Sequence, residues 1–161
     1  MTTFTTTVAS STWASDIITL LRVLIDDVDA TTYTNARLTD VVVVAAHFIS
    51  REINFDYEYI VDIPSQTMNV DPDADFKNFA ALKAAILILN AELKSMTKTA
   101  LTIKDGPSTI ETGRGLSHLQ KLYDETLDQY VVARASFRAG YFRAILSPFT
   151  TPNSNTVESF A

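Results

Sequence analysis

The chain has 161 residues, no cysteine and a formal charge of −6, from thirteen Lys and Arg against nineteen Asp and Glu. That length supports one domain with a real core, and the absence of cysteine removes zinc ribbons, thiol nucleophiles and disulfide frameworks together. An acidic chain with scattered cations argues against a phosphate-binding face, and the longest apolar runs, 41–49 and 84–89, are too short for the ~20 residues that span a bilayer.

Residues 1–12 are mostly Thr and Ser, without a basic residue or an apolar core. They read as an extended, mobile arm rather than a signal peptide, and the arm is placed at 1–14, with Trp13 near its end. Ser15 and Asp16 offer a cap for a first helix, whose Ile17, Leu20, Leu21, Leu24, Ile25 and Val28 recur every three or four residues. In the loop that follows, Asp27, Asp29 and Thr31 stand at alternate positions. Without a turn glycine or a terminal glutamate this is a capping loop, not a calcium site.

Thr34 caps a second helix over 34–54, with Leu38, Val41, Val42, Ala45, Phe48, Ile49 and Ile53 on one face. Val43, Val44 and His47 fall off that face and give the helix a second apolar side, a candidate contact with another subunit. At 57–64 the period changes to two. Tyr57, Tyr59, Val61 and Ile63 alternate with Glu58, Ile60 and Asp62, which predicts a strand ended by Pro64, then a loop over 65–70.

The stretch 71–94 predicts the central element. Asp71 caps it, Pro72 suits its first turn, and Asp73 and Asp75 face the positive end of its dipole. From Phe79 to Leu93 nearly every position is apolar apart from a stripe of Lys83 and Asn90, so neighbours must surround this helix; Ala80, Ala81, Ala84 and Ala85 let them approach closely. Next, Leu101 and Ile103 alternate before Asp105-Gly106-Pro107-Ser108, which predicts a hairpin over 100–112, and Gly113-Arg114-Gly115 reads as hinge chain. A last helix is expected over 116–139, with Leu116, Leu119, Tyr123, Leu127, Tyr130, Val131 and Phe137 inward and Gly140 stopping or bending it. Residues 141–161 form a C-terminal extension.

The fold expected is therefore mainly α: a small helical bundle around one central buried helix over 15–140, with short β-strands and extended N- and C-terminal arms. Chemistry is sparse. There are two histidines, His47 and His118, and no GxSxG elbow. No catalytic, cofactor-binding or metal-binding residue is assigned, and the chain does not read as an enzyme.

Two blocks, ITLLRVLIDDVDATTYTNARLTDVVVVAA (18–46) and ALTIKDGPSTIETGRGLSHLQKLYDETLDQY (100–130), resemble the head-to-tail connector or adaptor proteins of tailed bacteriophages, also called head completion proteins. The resemblance implies a structural protein of the virion neck, made in the host cytoplasm. It would form a ring, a dodecamer, between the portal protein and a tail-side neck protein, with genomic DNA passing through without specific binding. Under it, Val43, Val44, His47, Tyr57, Tyr59, Val61, Ile63, Leu101 and Ile103 are candidate inter-subunit residues, the two β segments completing a sheet between copies. Tyr141, Phe142, Ile145, Leu146, Phe149 and Phe160 are candidate portal anchors. Alternatives are another neck component, a stopper or tail-completion protein, or a small helical protein-binding module.

Overall fold

The computed structural model describes residues 13–102 and 109–146, with side chains over 13–98 and 115–140. Its elements run α1 (Trp13–Leu24), α2 (Asn35–Glu52), β1 (Val61–Asp62), β2 (Thr67–Met68), α3 (Ala74–Thr102) and α4 (Thr109–Leu146). The mainly helical bundle expected from the sequence is what forms. The chain divides into two compact units, 1–130 and 131–161, so α4 contributes to both.

In the first unit α3 packs against both α1 and α2. Phe76, Ala80, Ala81, Ala84 and Ala85 are at most 1 % exposed, and between Phe79 and Asn90 no residue is fully exposed. A helix apolar on nearly all sides is stable only when enclosed. The alanines let α1 and α2 come close, and Ile17 and Leu21 from α1 with Leu38, Val42 and Ile49 from α2 fill the core. The cap of α3 is Asp73, not Asp71: its Oδ1 accepts from Phe76 N at 2.7 Å and its carbonyl accepts from Lys77 N at 3.0 Å. Pro72 is buried just before it. Either aspartate satisfies the cap preference, and the one whose side chain reaches the third helical N–H takes the role.

Helix α1 starts at Trp13, so Trp13 and Ala14 belong to a packed element. Because the helix ends at Leu24, the expected stripe loses Val28, and Leu20 points outward as well. The loop to α2 is tied by one ion pair. Asp27 Oδ2 accepts from Arg22 Nη1 at 2.5 Å, Oδ1 accepts from Thr32 N at 2.9 Å, and Arg22 Nη2 donates to Tyr33 O and Asn35 Oδ1. Asp26 and Ala30 both have φ 55. An Ala in the left-handed region costs about 1–2 kcal/mol, and this hydrogen-bonded hub holds the loop in that shape. Thr34 caps α2 as expected, its hydroxyl accepting from Arg37 N at 3.3 Å.

The hub makes the fold sensitive to acid. Thr32 N–H above all, then Tyr33 N–H and Arg22, hold the Asp27 carboxyl below its ordinary 3.8, against the opposing effect of burial. A carboxyl whose folded value is lowered contributes stability that is complete above its unfolded value and lost as pH falls through the folded one. Asp27→Asn should therefore flatten the fall of Tm below about pH 4 while leaving the slope above about pH 5 unchanged. A series of thermal melts across pH checks it.

Three local expectations are corrected. The strand of 57–64 shrinks to the two residues of β1, which pairs antiparallel with β2, Val61 opposite Met68, inside what reads as a loop. The hairpin of 100–112 does not form, since α3 continues through Thr102 and α4 begins at Thr109; residues 103–108, with Ile103, lie outside the described residues. Extending an existing helix adds one hydrogen bond per residue fixed, whereas a short hairpin with no sheet to join is marginal. Finally, Gly113, Gly115 and Gly140 lie within α4, which runs 38 residues rather than 24. A glycine inside a helix costs about 1 kcal/mol, which a long cooperative helix tolerates.

Candidate functional site

The described surface presents three candidate interaction faces. Among the described residues no group of His, Asp and Glu is arranged to hold a metal ion, and no helix is long and apolar enough to cross a membrane.

Of the residues expected between subunits, three are internal. Val43 is 1 % exposed, on the helix α2 against which α1 and α3 both pack. Tyr59 and Val61 are buried too. The Tyr59 ring lies 4.3 Å from that of Phe76 and 5.5 Å from that of Phe55, and its hydroxyl accepts from Asp73 N at 3.4 Å. Burial first of all raises its pKa, consistent with a neutral phenol serving the core. Val44 and His47 are half-buried, and Leu101 lies in α3 with its side chain outside the described set. Tyr57 and Ile63 are exposed. A strand of two residues does not keep four alternate side chains on one face, so only the middle pair of the expected stripe turns inward.

Sequence reasoning missed Ile60 and Val70, which are 58 % and 42 % exposed and join Tyr57 and Ile63 on the same lobe. The signal was Asn69. Its Nδ2 donates to Glu58 O at 2.9 Å, its Oδ1 accepts from Ile60 N at 2.8 Å, and its own N–H donates to Ile60 O at 3.2 Å. An asparagine that replaces ladder bonds in this way holds two legs of chain together without a full strand. At the far end of the hairpin, Gln66 Nε2 donates to Asp40 Oδ1 at 2.8 Å and anchors the lobe on α2.

A second face is the groove between α1 and the start of α2, about 450 Å³, bordered by Ile18, Val23, Val28, Asn35 and Thr39. A third is a shallow cleft of about 430 Å³ between α3 and α4, where Asn90, Lys94 and Lys98 face Gln120 and Tyr123.

Where α4 leaves the first unit, a polar cluster fastens it. Glu52 Oε2 accepts from the Tyr130 hydroxyl and Oε1 from Lys83 Nζ, both at 2.7 Å. The Lys83 ammonium lies 5.2 Å from the centre of the Tyr130 ring. Beyond Tyr130, Val131 and Val132 are 55 % and 64 % exposed. The expected inward position of Val131 is thus corrected: Thr126 and Tyr130 are the buried positions of this stretch, and Val131, next along the helix, is turned roughly 100° away from Tyr130. Of the expected portal anchors, Tyr141, Phe142, Ile145 and Leu146 are on α4, with side chains outside the described set; Phe149 and Phe160 lie outside the described residues.

Comparison with protein-family models, with curated proteins and with solved structures gave no match.

Proposed function

We propose that the protein is a structural component of the bacteriophage neck, a head-to-tail adaptor that assembles as a ring beneath the portal and extends the DNA channel toward the tail. The observation that carries the reading is α4, a 38-residue helix of which residues 131–146 belong to a separate unit. Those sixteen positions extend about 24 Å along the axis, and they begin with two outward valines. A helix that runs from one compact unit into another and carries exposed apolar side chains where the second begins suits a subunit that must reach a neighbour.

The first block of the resemblance, a short helix, an acidic turn and a second helix, is present as α1, the Asp27 loop and α2. The second block keeps its long tyrosine-bearing helix but not its extended pair, which lies partly in α3 and α4. In this reading the portal binds residues 141–161, a tail-side neck protein binds the opposite end of the ring, and the activity is mechanical, not catalytic.

Negative-stain electron microscopy of the purified protein, alone and mixed with portal-bearing capsids, tests the proposal. Rings with a central channel, seated at the portal vertex, are expected. Protein that stays off the capsids at all concentrations, or that decorates the tail tip instead, would remove this role.

A further inference from the structure

The charges of this chain are unevenly placed. Between Glu52 and Lys77 there are six carboxylates, Asp56, Glu58, Asp62, Asp71, Asp73 and Asp75, and no Lys or Arg. Over 131–146 the reverse holds: Arg134, Arg138 and Arg143 stand without a single Asp or Glu. An asymmetry of this size within one chain points to an interaction, not to solubility alone.

Each region couples its charge to exposed apolar surface. The acidic lobe displays Tyr57, Ile60, Ile63 and Val70, and Asn69 brings 58–60 against 69–70. Tyr59 ties the same lobe to Asp73 at the start of α3, so Asp71 and Asp75 border it. Among the described residues no cation pairs with Asp56, Glu58, Asp71 or Asp75. On α4, Val131, Arg134 and Arg138 follow at spacings of three and four and share one helix face. No carboxylate among the described residues pairs with either arginine.

We infer that the acidic lobe of one copy is the docking surface for the basic segment 131–146 of a second copy of this chain. Opposite charges steer and orient the encounter, and the apolar side chains at each centre supply the burial that holds it. The two patches differ, so the contact is heterologous, and repeated around an axis it closes into a ring. The inference deepens the ring reading above and rests on it for closure. It names the pair of surfaces that meet.

Charge reversal tests it. Asp56→Lys, Glu58→Lys, Asp62→Lys and Asp71→Lys together change the lobe from six negative charges to a net of two positive, and Arg138→Glu with Arg143→Glu changes the helix segment from three positive charges to a net of one negative. Mass photometry at low salt should show wild-type association weakened at least ~10-fold in either variant alone. An equimolar mixture of the two should associate again, because an inverted lobe then meets an inverted helix while each unaltered patch still finds its native complement. Circular dichroism of both variants should match the wild type, which separates lost contact from lost fold. If either variant associates as the wild type does, or the mixture does not recover, these surfaces do not meet, whatever the micrographs of capsids show. A wild type that binds duplex DNA through 131–146 and stays monomeric also overturns the pairing. The ring reading is judged separately by whether the protein seats at the portal vertex.

Discussion

Phe76→Ala is expected to destabilise the first unit by about 3–5 kcal/mol, the usual cost of emptying a buried aromatic site. Phe76 is 0 % exposed and sits between the Tyr59 ring at 4.3 Å and the Phe55 ring at 5.2 Å. It is also the residue whose N–H the Asp73 cap receives. Loss of its ring therefore leaves a cavity where the lobe, the end of the α2–α3 connection and the first turn of α3 all meet. In a chain of this size each kcal/mol moves Tm by ~2–4 °C, so the midpoint should fall by roughly 6–20 °C. Phe76→Leu, which keeps most of the volume, should recover more than half of the loss. Thermal melts followed by circular dichroism decide the matter: a midpoint within ~2 °C of wild type would mean the aromatic cluster contributes little.

Ala84→Leu should act in the opposite sense sterically and the same sense thermodynamically. Ala84 is fully buried on α3, the helix against which α1 and α2 both pack. Three added carbons there have no space to enter, and overpacking a close helix contact costs about 1–3 kcal/mol. Ala91→Leu, on the same helix but exposed, serves as the control. Its effect should stay within about 0.5 kcal/mol, as is usual for surface changes. Chemical denaturation of the pair separates the two cases, because helix propensity changes equally in both and only the packing differs. Equal midpoints for the two variants would show that the alanines of α3 do not set the approach of its neighbours.

Helix positions were legible because a 3.6-residue period and a cap are local signals. Thr34 at the start of α2 and the all-round apolar run of α3 each need only their own neighbours in the chain to be read. The β segments were not legible for the same reason. Alternation over five to seven residues fits a strand or part of a helix equally, and what decides is whether a partner exists. Around Thr102 the partner is the preceding turn of α3, while around Val61 it is Met68 seven residues on, with Asn69 replacing the missing ladder. The candidate surface was half legible. Tyr57 and Ile63 are exposed, but the alternation gave no sign that Tyr59 and Val61 between them turn inward, and the burial of Val43 depended on two helices remote in sequence.

By itself, then, the sequence determined the helical class, the caps at α2 and near α3, the small residues along the central helix, and the separation of acidic and basic stretches. Tertiary structure decided that Val43 on the second side of α2 is core, that Tyr59 and Val61 turn inward, and that α4 runs as one helix from Thr109 to Leu146. It also decided that Asp27, which reads as one acid among several in a turn, is the buried partner of Arg22. The physical reason is one of range. Backbone periodicity and capping are satisfied within a few residues, whereas burial and ion pairing depend on which distant surfaces are brought together, and that is settled only when the whole unit packs.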